Sequence, residues 1–66
     1  MKNRRNHYRI MGNYGKTCEE IDSADTEKEA RSLREEYQMA FGSNWEIWVE
    51  VQKHYGDTLD SVEKLE

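Results

Sequence analysis

The residues that could bind a metal or act as a nucleophile are few and widely spaced in this 66-residue chain. Two histidines, His7 and His54, and a single cysteine, Cys18, are the candidates. Their spacing matches no zinc pattern, because structural zinc sites use closely spaced pairs of Cys or His. One cysteine also excludes an internal disulfide. We therefore predict no metal and no cofactor, and we interpret Cys18 as a small strand residue.

Two pairs of adjacent carboxylates, Glu19-Glu20 and Glu35-Glu36, are the remaining candidates for catalysis. Adjacent side chains point to opposite faces of a strand and diverge by about 100° around a helix. Neither pair can therefore share a proton. The stretch from Gly12 to Gly15 is too short for a phosphate-binding loop and opens no helix. We predict that the protein is not an enzyme.

Trp48 is the residue that most favours a binding function. It lies in a stretch, 45–52, whose strict alternation predicts a strand with Trp48 on the face opposite Ile47 and Val49. An exposed tryptophan in the middle of a sheet favours a docking surface, because Trp is enriched at binding hot spots. The predicted partner-binding residues on this face are Trp48, Met11, Arg9, Glu46 and Glu50. Two alternatives remain open: Leu59 and Val62 fold back over Trp48, or Arg9 and Met11 shield it.

The charge distribution supports a second hypothesis. Residues 1–9 carry four basic side chains and a charge of +4, whereas the rest carries six basic and fourteen acidic residues and thus −8. A nucleic-acid-binding accessory protein could use this basic arm on phosphates and Trp48 on a base. The arm residues concerned are Lys2, Arg4, Arg5 and Arg9. The acidic remainder would repel nucleic acid; it would suit a basic partner protein, or simply maintain solubility.

A central amphipathic helix is expected to support these surfaces. Thr26 and Glu29 form a capping box at its start, and Gly42 is suited to the position after its end. The apolar residues between the two ends recur at helical spacing and form one stripe. The predicted core combines this stripe with one face of the strands and comprises Tyr8, Ile10, Ile21, Ala30, Leu33, Tyr37, Ala40, Phe41, Trp45, Ile47, Val49 and Val51.

The order of elements predicts a small α+β domain. Strands at 7–14 and 17–22, the helix and the strand at 45–52 give β-β-α-β, as a three-stranded antiparallel sheet in the order 2-1-3 with the helix on one face. We predict a flexible basic arm at 1–6, the folded domain at 7–53 and a loosely ordered tail at 54–66. Leu59 and Val62, three residues apart, would allow a short helical turn in this tail. The terminal Leu65-Glu66 has the composition of a cloning remnant.

A family resemblance covers residues 8–41. The run from Tyr8 to Gly15, the acidic stretch from Glu19 to Asp22 and the Thr26-x-x-Glu29-Ala30 helix resemble small uncharacterised proteins of bacteriophages and prophages. Those proteins share a Tyr-x-Val-x-Gly-x-Tyr-Gly strand and often carry an aromatic residue after its turn, where this chain has Lys16-Thr17-Cys18. The resemblance implies a mobile-element origin, and small phage proteins often inhibit or adapt host proteins.

These observations together predict a non-enzymatic protein that binds a partner protein through its open sheet face, as an inhibitor or adaptor of a host protein. We expect a monomer or a weak homodimer. The sequence begins with no signal peptide and contains no apolar run near 20 residues, which predicts a cytoplasmic protein that does not bind membranes.

Overall fold

A computed structural model describes residues 4–65, in which two β-hairpins are joined by one helix. The strands are β1 (Arg4–Tyr14), β2 (Thr17–Ala24), β3 (Glu46–Tyr55) and β4 (Thr58–Lys64), and the helix is α1 (Glu27–Phe41). All neighbouring strands pair antiparallel, in the order β2-β1-β3-β4. The prediction of three strands was wrong, because a fourth strand extends the sheet beyond β3. The order 2-1-3 holds within this larger sheet.

A β-bulge explains why β4 was missed. Lys53 pairs with Ser61 and His54 pairs with Leu59, so Asp60 is an extra residue without a partner on β3. This bulge brings Leu59 and Val62 to the same face of the strand although they are three residues apart. Their spacing therefore resembled a helical turn. The segment expected to be a loose tail supplies the end of β3 and all of β4.

The two hairpins use the same turn sequence. Tyr14-Gly15-Lys16-Thr17 joins β1 to β2, and Tyr55-Gly56-Asp57-Thr58 joins β3 to β4. Gly15 and Gly56 have φ angles of 63° and 62°, whereas no non-glycine residue within 4–65 has a positive φ. This combination fits a type II′ turn, which takes Gly at its first central position. The repeated Tyr-Gly-x-Thr pattern was the available sequence signal for the second hairpin.

The helix forms as its capping residues predict. The Glu29 amide donates to the Thr26 hydroxyl at 3.2 Å, and Gly42 follows the last helical residue with φ of 88°. The apolar side of α1 packs on β1, β2 and β3 and makes no contact with β4 among the described residues. No helix in this part of the chain is long and apolar enough to cross a membrane.

The hydrophobic core lies between α1 and the sheet. Burial confirms six of the predicted core residues, and four more are partly buried against them. Ala40 and Phe41 were predicted wrongly, since both are exposed near the end of α1. The Phe41 ring instead contacts the Trp45 ring in a tilted arrangement, with ring centroids 4.9 Å apart. The six confirmed residues are Tyr8, Ile10, Ala30, Ile47, Val49 and Val51.

A second bulge shapes β2. Ile10 pairs with Asp22 and Met11 pairs with Glu20, which leaves Ile21 as the extra residue. Ile21 therefore turns toward α1 and covers Gly12, where a Cβ would lie 2.5 Å from the Ile21 Cδ1 atom. Asp22 also reaches the helix, because its carboxylate accepts a hydrogen bond from the Tyr37 hydroxyl at 2.8 Å.

The predicted N-terminal arm is partly structured. Arg4, Arg5 and Asn6 form the beginning of β1, and all three pair with the last residues of β3. Lys2 lies outside the described residues. The strand continues through this basic segment because β3 and its turn extend far enough to pair with it.

Candidate docking surface

The side of the sheet that faces away from α1 is called the open face here. Alternation along each strand and the pairing between strands assign its members. Trp48 lies opposite Met11, Glu50 opposite Arg9, and Glu46 opposite Asn13. Period-two patterning thus brings together the five residues that the sequence analysis selected. The open face also carries His7, Glu20, Gln52, His54, Leu59, Val62 and Lys64.

Met11 and Trp48 form the apolar centre of the open face. Met11 is only 7% exposed, and Trp48 is half-buried. The Lys64 ammonium lies 5.4 Å from the centroid of the Trp48 ring, a distance at which a cation attracts the ring face. The last residue of β4 therefore shields part of the indole.

The alternative in which Leu59 and Val62 cover Trp48 does not match the structure. Both residues lie on the open face, but they pair with His54 and Gln52, toward the other end of β3. They remain 49% and 48% exposed. The two side chains extend the apolar surface of the open face. The side chain of β4 that lies over the Trp48 ring is Lys64.

A row of alternating charges crosses the open face beside Trp48. Arg9 donates from Nε to the Glu20 carboxylate at 2.5 Å, and its Nη1 lies 3.5 Å from the Glu50 carboxylate. Lys64 lies opposite Glu50 in the β3–β4 register, and its Nζ is 3.9 Å from the Glu46 carboxylate. Single ion pairs of this exposure contribute about 0–1 kcal/mol each. The row combines two basic with three acidic side chains, so this surface is mixed in charge.

The two histidines are closer than the sequence suggested. His7 and His54 line one shallow groove of about 350 Å³ at the end of the open face, together with Arg5, Asn6, Asp25 and Gln52. Cys18 lies far from them, opposite Asn13 near the β1–β2 turn, and it is exposed. No group of three or more His, Cys, Asp or Glu side chains within residues 4–65 is arranged to hold a metal ion.

The clearest change in ionisation occurs on the helix side of the sheet. A hydrogen bond from the Ser23 amide, followed by the one from the Tyr37 hydroxyl, lowers the pKa of the Asp22 carboxyl. The same carboxylate raises the pKa of Tyr37, because an acceptor favours the protonated phenol. This pair links α1 to β2 and does not belong to the open face.

Comparisons with known proteins provide no relative from which a function could be taken. No family model, curated protein or solved structure matches the chain. The resemblance to phage and prophage proteins therefore rests on its sequence pattern, and a functional proposal rests on the geometry of the open face.

Proposed function

We propose that this is a non-enzymatic cytoplasmic protein of phage or prophage origin. It binds a partner protein through its open face and acts as an inhibitor or adaptor of a host protein. The observation that carries the proposal is the composition of that face. It has an apolar centre of Met11 and Trp48, bordered by basic and acidic side chains that are paired with one another.

The size of the open face suits a protein partner. The molecule measures 44 × 24 × 15 Å along its principal axes, so the sheet is its largest surface. A standard interface buries about 800 Å² per partner. Trp and Arg are enriched among hot spots, and Trp48 and Arg9 lie in neighbouring pairs at the centre of this face. A partner that covers them meets little net charge.

The paired charges also weigh against nucleic-acid binding at this surface. A phosphate approaching Arg9 would meet two carboxylates, Glu20 and Glu50, which already bind the guanidinium. Arg5 and Arg4 lie near the far end of β1, where Arg5 pairs with His54 and Arg4 with Tyr55. Arg4 and Arg5 are thus separated from Trp48 by most of the strand.

Site-specific photocrosslinking tests the proposal. A benzophenone amino acid would replace Val62, which is half-exposed on the open face. The matched control carries the probe at Glu35, which is exposed on α1. After illumination in an extract of the host bacterium, we expect a discrete protein adduct from the Val62 probe and none from the Glu35 probe. Trp48→Ala in the Val62 probe protein should remove the adduct.

Each other outcome contradicts the proposal in a recognisable way. An adduct that nuclease digests would support the nucleic-acid alternative. An adduct of twice the chain mass of 7.9 kDa would identify a homodimer. Equal labelling from both probe positions, or none from either, would show that the open face is not a specific docking surface. Reductant is required throughout, because Cys18 is exposed.

A further inference from the structure

A groove between the C-terminal half of α1 and the beginning of β3 opens at the rim of the open face. We call it the α1–β3 groove; its volume is about 690 Å³. The walls combine two cations, one amide and three apolar side chains: Arg34, Lys64, Gln38, Trp45, Ile47 and Trp48.

The floor of the groove is fixed by Gln38. β4 pairs with β3 only from Glu50 onward, with one further bond from the Leu65 amide to the Val49 carbonyl. The beginning of β3 thus extends past its neighbour. The Gln38 side chain takes the place of a neighbouring strand here, because its Oε1 accepts from the Ile47 amide at 3.3 Å and its Nε2 donates to the Trp45 carbonyl at 2.8 Å. A ligand would therefore meet a preformed surface.

Arg34 is the unusual residue of this groove. It lies one helical turn before Gln38, and its Nε atom is shielded from solvent without a hydrogen-bond partner among the described residues. Because Nε is closed to solvent, a ligand cannot reach that atom, but Arg34 also forms no ion pair among the described residues, so the charge of its guanidinium is uncompensated. The acceptor that matches a guanidinium best is an oxyanion.

The other walls limit the kind of anion that fits. Lys64 adds a second positive charge, and its Nζ lies 3.9 Å from Glu46, the only acidic side chain among the described residues of the groove. Trp45, Trp48 and Ile47 provide apolar surface beside the two cations. A free inorganic ion would leave these side chains without contacts. A carboxylate on a short apolar stem would use both parts of the groove.

We propose that the α1–β3 groove receives a glutamate side chain of the partner protein, with its carboxylate on Arg34 and Lys64 and its stem against the two indoles. The inference rests on the proposed function, since the groove borders Trp48 and the partner on the open face would supply the glutamate. It adds a specificity element: a partner with glutamine at that position would bind less tightly.

NMR titration tests the groove directly. The probe is the blocked dipeptide acetyl-Phe-Glu-amide, matched against acetyl-Phe-Gln-amide, which has the same shape without the charge. We expect saturable shifts of the Arg34 Nε–H and of both indole N–H signals with the first peptide. Binding of the second should be at least tenfold weaker. Arg34→Gln should weaken binding of the first peptide about tenfold, whereas Lys28→Gln, which removes an exposed cation from the same helix, should not change it.

Arg34→Lys checks that a folding defect is not responsible. It keeps the positive charge without the planar guanidinium, so it should bind with intermediate affinity and retain the native spectrum. Equal binding of both peptides, or no effect of Arg34→Gln, would overturn the inference. The experiments distinguish failure of the glutamate site from failure of the proposed function. An adduct from the Val62 probe that survives Arg34→Gln at full yield would contradict only the glutamate site. Peptide binding without any adduct would contradict only the docking surface.

Discussion

Asp22 and Tyr37 form a hydrogen-bonded pair whose pKa values the fold shifts in opposite directions. The pKa of Asp22 is lowered, so its contribution to stability is present above the unfolded value of about 3.9 and is lost as pH falls through the folded value. The pKa of Tyr37 is raised, so its contribution is full below about pH 10 and is lost as pH rises through the folded value. Their hydrogen bond therefore stabilises the protein between these limits.

Tyr37→Phe should raise the pKa of Asp22 because the phenol no longer donates to the carboxylate. That pKa should stay below the usual range, since the Ser23 amide still donates at 2.7 Å. Carbon-13 NMR titration of the Asp22 carboxyl measures the change. Tyr14→Phe removes the hydroxyl of an exposed tyrosine on β1 and should leave the titration unchanged. An Asp22 titration that is the same in Tyr37→Phe and wild type would show that the bond is absent in solution.

At the scale of elements, the bulge in β2 determines whether a larger residue can replace Gly12. Gly12→Ala should destabilise the protein by about 1–3 kcal/mol, because its Cβ would meet Ile21 Cδ1 at 2.5 Å and Ile47 Cδ1 at 3.2 Å. Ile21→Val removes Cδ1 and alone should cost about 0.5–1.5 kcal/mol. In the double variant, Gly12→Ala should cost less than in wild type. Urea unfolding of the four proteins measures this coupling, and strictly additive losses would contradict the contact.

The two bulges also mark the limit of what the sequence could predict. The ends of α1 followed from Thr26 and Gly42, because capping is local chemistry. The sides of β1 and β3 followed from period two, so Arg9, Met11 and Trp48 were placed together. The bulge at Ile21 turns Asp22 to the helix side and sets Glu20 opposite Met11, where it reaches Arg9. That contact depends on strand register, which no pattern within β2 specifies.

The groove beside α1 was missed for a related reason. Neither Arg34 nor Gln38 belongs to the apolar stripe that the helical spacing predicts. Their role depends on where β4 ends relative to β3, and this was unknown while residues 54–66 were expected to be a loose tail. The available signal was the second Tyr-Gly-x-Thr sequence, which begins at Tyr55. That sequence indicates a second hairpin and therefore β4, and the extent of β4 determines how much of β3 stays unpaired.

At the scale of the whole molecule, stability should be uneven across the sheet. β1 lies between two strands and under the helix, whereas β4 contacts β3 and no other regular element of the described chain. Leu65 is the residue after β4 that packs against the core. We expect amides of β4 to exchange with solvent faster than those in the middle of β1 and β3.

Leu65→Ala should accelerate amide exchange in β4 at least tenfold, because it removes the apolar anchor of that strand, and a tenfold change corresponds to about 1.4 kcal/mol. Protection in β1 should stay unchanged. Val62→Ala, at a half-exposed position of the same strand, should alter exchange much less. NMR-detected hydrogen exchange measures all three proteins. An equal acceleration of β1 and β4 would show that the sheet opens as one unit.

The two bulges and the Gln38 side chain together limit the addition of further strands to the edges of the sheet. Fibrils extend by adding strands to a straight row of unpaired amides and carbonyls. β2 is interrupted at Ile21, β4 at Asp60, and the exposed beginning of β3 is occupied by a side chain. Within residues 4–65, every free edge of the sheet is thus a poor template for polymerisation. We therefore expect this molecule, although built largely of strands, not to polymerise through the described edges of its sheet.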